Sequence, residues 1–150
     1  MTLWQDGYLT SIPYPHHVHR ELSPSWLVAV LTALGARAPA LREGFSYCEL
    51  GCGQGLNSLL LAAANPTGRF LAVDYNAQHI EHGRSLATAA GLTNLAFRQA
   101  SFAELAEEET QEGFDFIVLH GVYSWVSADN RAAIRRFVQR RLNPGGVLYF

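Results

Sequence analysis

Between residues 45 and 65 the chain reads FSYCEL, then GCGQG, then LNSLLLAAAN. An apolar run of strand length, a turn with glycine at every second position and a segment of helix length follow one another without a spacer. Gly51, Gly53 and Gly55 permit positive φ, and a glycine lets backbone N–H groups approach a ligand with no Cβ in the way. The same alternation recurs downstream. RFLAVD (69–74) is strand-like, and Asn76 can cap a helix over AQHIEHGRSLATAA that Gly91 closes. LAFRQ (95–99) is a third strand and FAELAEEE a short acidic helix. FDFIVLH is a fourth strand, and Ser127 can cap a helix running to about Leu142. NPGG is a turn, and VLYF begins a fifth strand. Strands alternating with helices predict an α/β fold, a Rossmann-like doubly wound parallel sheet covered on both faces.

Upstream, Ser23 suits an N-cap, Pro24 the first helical position and Gly35 a stop. Trp26, Leu27, Val30, Leu31 and Leu34 then form the apolar face of a helix. Residues 1–22 are aromatic, His-rich and interrupted by proline, and read as an N-terminal arm ahead of a core over 23–150. The last residues are an apolar strand with no turn or polar tail after it, so the core is expected to be incomplete, cut short after the fifth strand, with a further C-terminal domain in a longer parent chain.

Composition narrows the function classes. Apolar residues make up 49% and charged ones 16%, a globular balance. The net charge is −2, which argues against broad electrostatic binding to nucleic acid or to an anionic membrane. No stretch reaches the roughly 18 apolar residues that span a bilayer, and the N-terminus lacks the basic start and apolar stretch of a secretory signal. Cys48 and Cys52 stand as C-x3-C without a second pair, so neither a zinc site nor a disulfide is expected, and reduced thiols fit a cytoplasmic setting.

Ligands of open parallel sheets lie beyond the carboxyl ends of the strands, where strand order reverses. The Gly-rich loop stands at that place on the first strand. A tight turn that binds nothing is the alternative. Three features favour a ligand: Glu49 sits just before the glycines, the spacing is G-x-G-x-G and not the G-x-G-x-x-G of dinucleotide enzymes, and the next strand ends in Asp74. A carboxylate there can accept hydrogen bonds from both hydroxyls of a ribose. Glu49 would repel a pyrophosphate and tolerate a ligand carrying an ammonium and a sulfonium.

The ordered set ELGCGQG, AVD, FDFIVLH and LNPGGVLYF resembles the class I S-adenosylmethionine-dependent methyltransferases, over residues 45–150. SIPYP, Asn57 and HGVYSWV narrow the resemblance to bacterial methyltransferases with a separate C-terminal regulatory domain, a group that includes protein-lysine methyltransferases. The resemblance implies S-adenosylmethionine as cofactor and methyl transfer to a protein lysine or a small molecule. It implies that Glu49, Gly51, Cys52, Gly53 and Asn57 line the methionine part. Asp74 would hold the ribose, with Tyr75 near the adenine. Ser101 stands where an acid is common at the adenine edge, with the Phe102 backbone as its substitute. Two other readings stay open: a module that binds the cofactor without turnover, and an NAD-dependent oxidoreductase.

Methyl transfer asks mainly for positioning and exclusion of water, with a base only where the acceptor must lose a proton. HGVYSWV follows the fourth strand, beside the expected methyl. His120 is a candidate for the cofactor pocket or a base, and Tyr123 for an aromatic wall around a cationic acceptor. Trp125 and Val126 are expected to pack. Tyr14, on the arm, is a candidate to touch cofactor or acceptor. There is no [DN]-P-P-[YF] and no Pro-Cys pair, which lowers amino-group and cytosine-C5 nucleic-acid methylation. No metal is expected: His16, His17 and His19 form H-H-x-H, but on a Pro-rich arm with no acid beside them except Glu21. His79 and His82, and the run Glu107, Glu108, Glu109, read as solvated faces.

Overall fold

The computed structural model describes residues 17–150, together with the backbone of two short antiparallel strands nearer the N-terminus, β1 (Trp4–Gln5) and β2 (Tyr8–Leu9). Tyr14 and His16 lie outside the described residues. A 3-10 turn (Arg20–Leu22) leads into α1 (Pro24–Ala33), and four βα steps and a final strand follow. They are β3 (Ser46–Leu50), α2 (Leu56–Ala64), β4 (Arg69–Asp74), α3 (Ala77–Ala89), β5 (Leu95–Gln99), α4 (Phe102–Glu107), β6 (Phe114–Val118), α5 (Ala128–Arg141) and β7 (Leu142–Tyr149).

The five strands β3–β7 form one sheet in the order β5-β4-β3-β6-β7, and every neighbouring pair is parallel. Strand order therefore reverses between β3 and β6, and the loops after those two strands border the same crevice. β3 sits at the centre and is buried along its whole length. Its alternate side chains serve opposite faces. Cys48 and Leu50 join Ile117, Leu105, Ile134 and Phe137 under α4 and α5. Tyr47 joins Leu22, Leu27, Phe70 and Phe116 on the other face, where Leu59, Ala72 and Ile80 continue the layer under α2 and α3. Leu22 is completely buried, and its carbonyl accepts the Tyr47 hydroxyl at 3.1 Å.

The caps hold α3 and α5 where the sequence places them. Asn76 accepts the Gln78 N–H at 2.9 Å and Ser127 accepts the Asn130 N–H at 3.2 Å. Ser23 does not cap α1: its hydroxyl pairs with Ser25 instead, at 2.8 Å. The expected apolar face of α1 also splits. Leu27 is buried, but Trp26, Val30 and Leu34 are 44%, 41% and 76% exposed. Pro24, Leu27 and Val28 carry the packing, to one side of that stripe.

NPGG is not a turn ahead of β7 but a loop-out within it. Phe114 pairs with Leu142 and Phe116 with Val147, so residues 143–146 bulge opposite Asp115. Asp115 fastens the bulge by accepting the Asn143 amide at 2.9 Å, while its other oxygen takes the Ser46 N–H and hydroxyl at 2.8 and 2.9 Å. Arg141, in the last turn of α5, is not a surface cation. It is 5% exposed, lies over the Phe114 and Phe137 rings, and reaches Glu108 at 3.6 Å. Glu108 also takes both oxygens to Arg98 at 2.8 and 2.7 Å, so the middle of the acidic run is paired and not solvated.

Candidate functional site

The Gly-rich loop leaves β3 at Leu50 and closes on itself. The N–H groups of Gly51 and Cys52 both donate to the Val73 carbonyl, at 2.8 and 2.9 Å. Gly55 N–H donates to Cys52, at 3.0 Å, and Gly53 N–H to the Asp74 carboxylate, at 2.8 Å. These four donors are engaged within the protein, so here the glycines do not present N–H groups to an anion. They shape the floor of a cleft instead. Gly51 has φ +71°, and a Cβ there would stand 2.5 Å from Val122. Gly55 has φ +77°, and a Cβ there would stand 2.2 Å from the Phe97 ring.

Two hollows flank the Gly53–Asp74 contact. The first, of about 290 Å³, is lined by Glu49, the Gly51–Asn57 loop, His17, His19, His120 and Gly121. The second, of about 550 Å³, is lined by Tyr75, Asn76, Ala77, Gln99, Ala100, Ser101 and Glu104. Asp74 lines neither hollow but links them, bonded to Gly53 of the first and next in the chain to Tyr75 of the second. One carboxylate oxygen accepts Gly53 N–H and keeps a lone pair open, while the other accepts Asn76 N–H at 2.8 Å and faces His79 Nδ1 at 3.4 Å.

Glu49 is the buried charge of the first hollow, 6% exposed. Burial pushes its pKa up to about 7, against the pull of the Ser58 hydroxyl that donates to it from α2. The Asn57 amide nitrogen lies close enough to draw that pKa down, yet it is buried and makes no full hydrogen bond. Its oxygen accepts His19 N–H at 3.2 Å, which ties the end of the arm to α2. A buried carboxylate beside an unsatisfied buried amide donor suits a zwitterionic amino-acid group, with ammonium toward Glu49 and carboxylate toward Asn57.

His120 and Gly121 line the first hollow together with Cys52. Burial and the neighbouring His19 lower the His120 pKa, opposed by Glu21. Tyr123 lies elsewhere. Its hydroxyl accepts Arg135 at 3.0 Å and its ring meets Phe150 at 5.6 Å. Val122 and Val126 are buried, as packing residues should be, but Trp125 is 55% exposed and does not pack. Ser101 lines the second hollow, and its hydroxyl closes a capping box with Glu104 on α4. The Phe102 side chain lies in the core beneath it.

Sequence reasoning missed two residues. His79 is not on a solvated face: its Nδ1 lies 3.4 Å from the Asp74 carboxylate, and its side chain is 16% exposed. The signal was its place three residues after the Asn76 cap, on the first turn of α3, which points it back at the end of β4. Glu21 lies 3.2 Å from His19 Nδ1 and 3.9 Å from His120 Nε2. Nothing local in the sequence joins Glu21 to His120.

A family model described as a methyltransferase domain matches residues 41–150. An uncharacterised protein of Synechocystis is 40% identical over 146 residues, 97% of this chain and 29% of that protein. An arsenite methyltransferase of Aquipseudomonas alcaligenes is 33% identical, over 92% of this chain and 40% of that protein. Among solved structures, PKMT2 from Rickettsia typhi in complex with AdoHcy superposes with a TM-score of 0.82 at 32% identity, over 91% of this chain and 26% of that one. The chain thus spans well under half the length of these relatives.

Proposed function

We propose, for a chain that belongs to the class I S-adenosylmethionine-dependent methyltransferases, that the two hollows are one cofactor cleft and that the protein transfers a methyl group to a nucleophile arriving over His120. The observation that carries the reading is Asp74, a carboxylate bonded to Gly53 of the amino-acid-sized hollow and next in the chain to Tyr75 of the larger one, with a lone pair open on the oxygen that meets Gly53. S-adenosylmethionine supplies an electrophilic methyl on a sulfonium. The chain's own residues do the rest. Glu49 takes the ammonium, and Asn57 the carboxylate. Gly51, Cys52 and Gly53 floor the aminobutyrate chain that leads to the sulfonium. Asp74 accepts from the ribose hydroxyls, while Tyr75 and Ser101 flank the base.

Acceptor selection falls to the rim on the β6 side. A protein lysine or a small molecule with a nucleophilic atom fits the proposal, and His120, on the wall of the first hollow, is the candidate to take its proton. The relatives with named activities differ in acceptor, so the family alone does not choose between them.

Calorimetry with S-adenosylmethionine tests the first half. Binding is expected in the parent protein, and Asp74→Ala is expected to weaken it by at least about 100-fold, because a ribose pair of charge-assisted hydrogen bonds is lost. Equal affinity in parent and variant would refute the assignment of Asp74. Transfer of a radiolabelled methyl to a host lysate, sorted into protein, lipid and small-molecule fractions, tests the second half. Binding with no transfer to any fraction would instead favour a module without turnover.

A further inference from the structure

In sequence the H-H-x-H segment of the arm has Glu21 as its one nearby acid, and the fold brings His120 to the same carboxylate. His19 and Glu21 stand at the 3-10 turn, and His120 arrives from the loop after β6. His19 Nδ1 is 3.2 Å from Glu21 Oε1, and His120 Nε2 is 3.9 Å from the same oxygen. The two imidazoles stack at 3.8 Å with a tilt of 33°. One ligand atom from each of the three residues can be chosen so that all lie within 4.8 Å of one another. We propose that His19, Glu21 and His120 form a three-ligand site for a divalent transition metal of zinc type, at the rim of the first hollow.

The chemistry of the donor set selects the metal. Two imidazole nitrogens and one carboxylate oxygen suit zinc and its first-row neighbours, whereas magnesium and calcium prefer oxygen alone. Zinc bonds of about 2.1 Å in tetrahedral geometry place ligands roughly 3.4 Å apart. The 3.2 Å spacing is already there; the 3.9 Å spacing and the His19–His120 spacing, at most 4.8 Å, must shorten, and the stacked rings must turn so that both nitrogens face the metal. Three protein ligands leave a fourth position open, as sites that bind an exchangeable group do. His19 and His120 both line the first hollow, so that position can face the cleft. His19 is fixed by its N–H bond to Asn57, so the ligand set is attached to the same side chain that floors the hollow.

Zinc calorimetry on the protein, in a buffer that does not chelate, tests this, with visible absorption of the cobalt(II) form as a second readout. One metal per chain is expected. His19→Gln, Glu21→Gln and His120→Asn should each weaken binding by at least about tenfold, while Glu21→Asp keeps most of it. His82→Gln, on the exposed side of α3, should change nothing. Circular dichroism melts establish that each variant is folded. Since Glu21 is partly exposed, the Asp and Gln pair separates loss of a ligand from loss of fold. No binding at millimolar zinc, or equal affinity in all three variants, would overturn the proposal. So would full affinity in His120→Asn with loss in His17→Gln, which places the metal on the arm alone. None of these readouts depends on methyl transfer.

Discussion

Lowering the pH should weaken cofactor binding, chiefly through Glu49. Its pKa in the free protein is raised from 4.5 to about 7 by burial. An ammonium placed against it favours the ionised form, so binding must expel the proton that the free carboxyl holds. With the free pKa near 7, affinity relative to its plateau falls about twofold at pH 7, about tenfold at pH 6 and about thirtyfold at pH 5.5. Correspondingly, about half a proton is released per cofactor bound at pH 7 and nearly one at pH 6. The window closes above pH 8, where an α-amino group of pKa about 7.7–8.0 loses its own charge. Calorimetry in two buffers of different ionisation enthalpy measures both the affinity and the proton count. Glu49→Gln should bind more weakly at pH 7.5 and release far less proton at pH 6. His120 also gains charge in acid, and the slope left in Glu49→Gln is its share. Ser58→Ala removes a hydroxyl that stabilises the carboxylate and should move the whole curve to higher pH by about one unit. An affinity that is flat from pH 5.5 to 7.5 would refute the reasoning. So would a slope as steep in Glu49→Gln as in the parent.

The same raised pKa sets the stability of the free protein. The unfolded state loses the Glu49 proton near 4.5 and the folded state near 7, so stability falls as pH rises through that window, by about 3 kcal/mol, and is flat above it; urea melts should show Glu49→Gln without this fall. Asp115 has the opposite sign. Although burial opposes it, hydrogen bonds from Asn143 and Ser46 hold its carboxyl below the ordinary value, so its contribution is present at neutral pH and lost as pH falls below about 4. Asp115→Asn should cost about 1–3 kcal/mol at pH 7 and less at pH 3, measured by the same melts. Gly55→Ala meets a left-handed φ and the Phe97 ring, which a Cβ at Gly83 would also strike at 2.5 Å, so the ring has little room to yield. A loss of about 2–4 kcal/mol is expected, reduced by at least about 1 kcal/mol when Phe97 is first changed to Leu; strict additivity would show that the ring is not the obstacle.

The fold was legible because its signals are local. Each strand of the sheet announces itself as a short apolar run, and Asn76, Ser127 and Gly91 punctuate the helices between them. Where the reading failed, the deciding interaction came from far along the chain. Trp26, Val30 and Leu34 have helical spacing, but spacing cannot say which side of α1 meets the sheet, and the side with Pro24 and Leu27 does so. NPGG has turn composition, yet Asp115, 28 residues before Asn143, draws it into the ladder as a bulge. Trp125 looked like core because it is large and apolar, but its neighbours Val122 and Val126 already point inward on their short turn.

The site divides along the same line. Glu49, the glycines and Asp74 sit at strand ends, and parallel strands bring their carboxyl ends together whatever the loops contain. Their convergence follows from topology, so spacing along the sequence was enough to find them. The role of the glycines was misread for a related reason. A Gly-rich loop offers N–H groups, but whether they are free depends on the neighbouring strand, and here Val73 and Asp74 at the end of β4 take three of them. That engagement makes the loop rigid and removes its use as a phosphate cradle, which separates it physically from dinucleotide sites. Glu21 and His120, 99 positions apart, belong to neither class of signal. The 3-10 turn carrying Glu21 is held by burial of Leu22 under Tyr47 and by the His19–Asn57 bond, and the loop carrying His120 is set by β6. Each segment is placed by its own packing against β3 and α2, and their carboxylate and imidazole meet only because both segments lie over the same end of the central strand. A Leu22→Ala substitution should therefore disturb the metal affinity of the rim as well as stability, with zinc binding weakened in a protein whose three ligands are intact. Unchanged zinc affinity in folded Leu22→Ala would show that the turn is held in place by something other than its buried leucine.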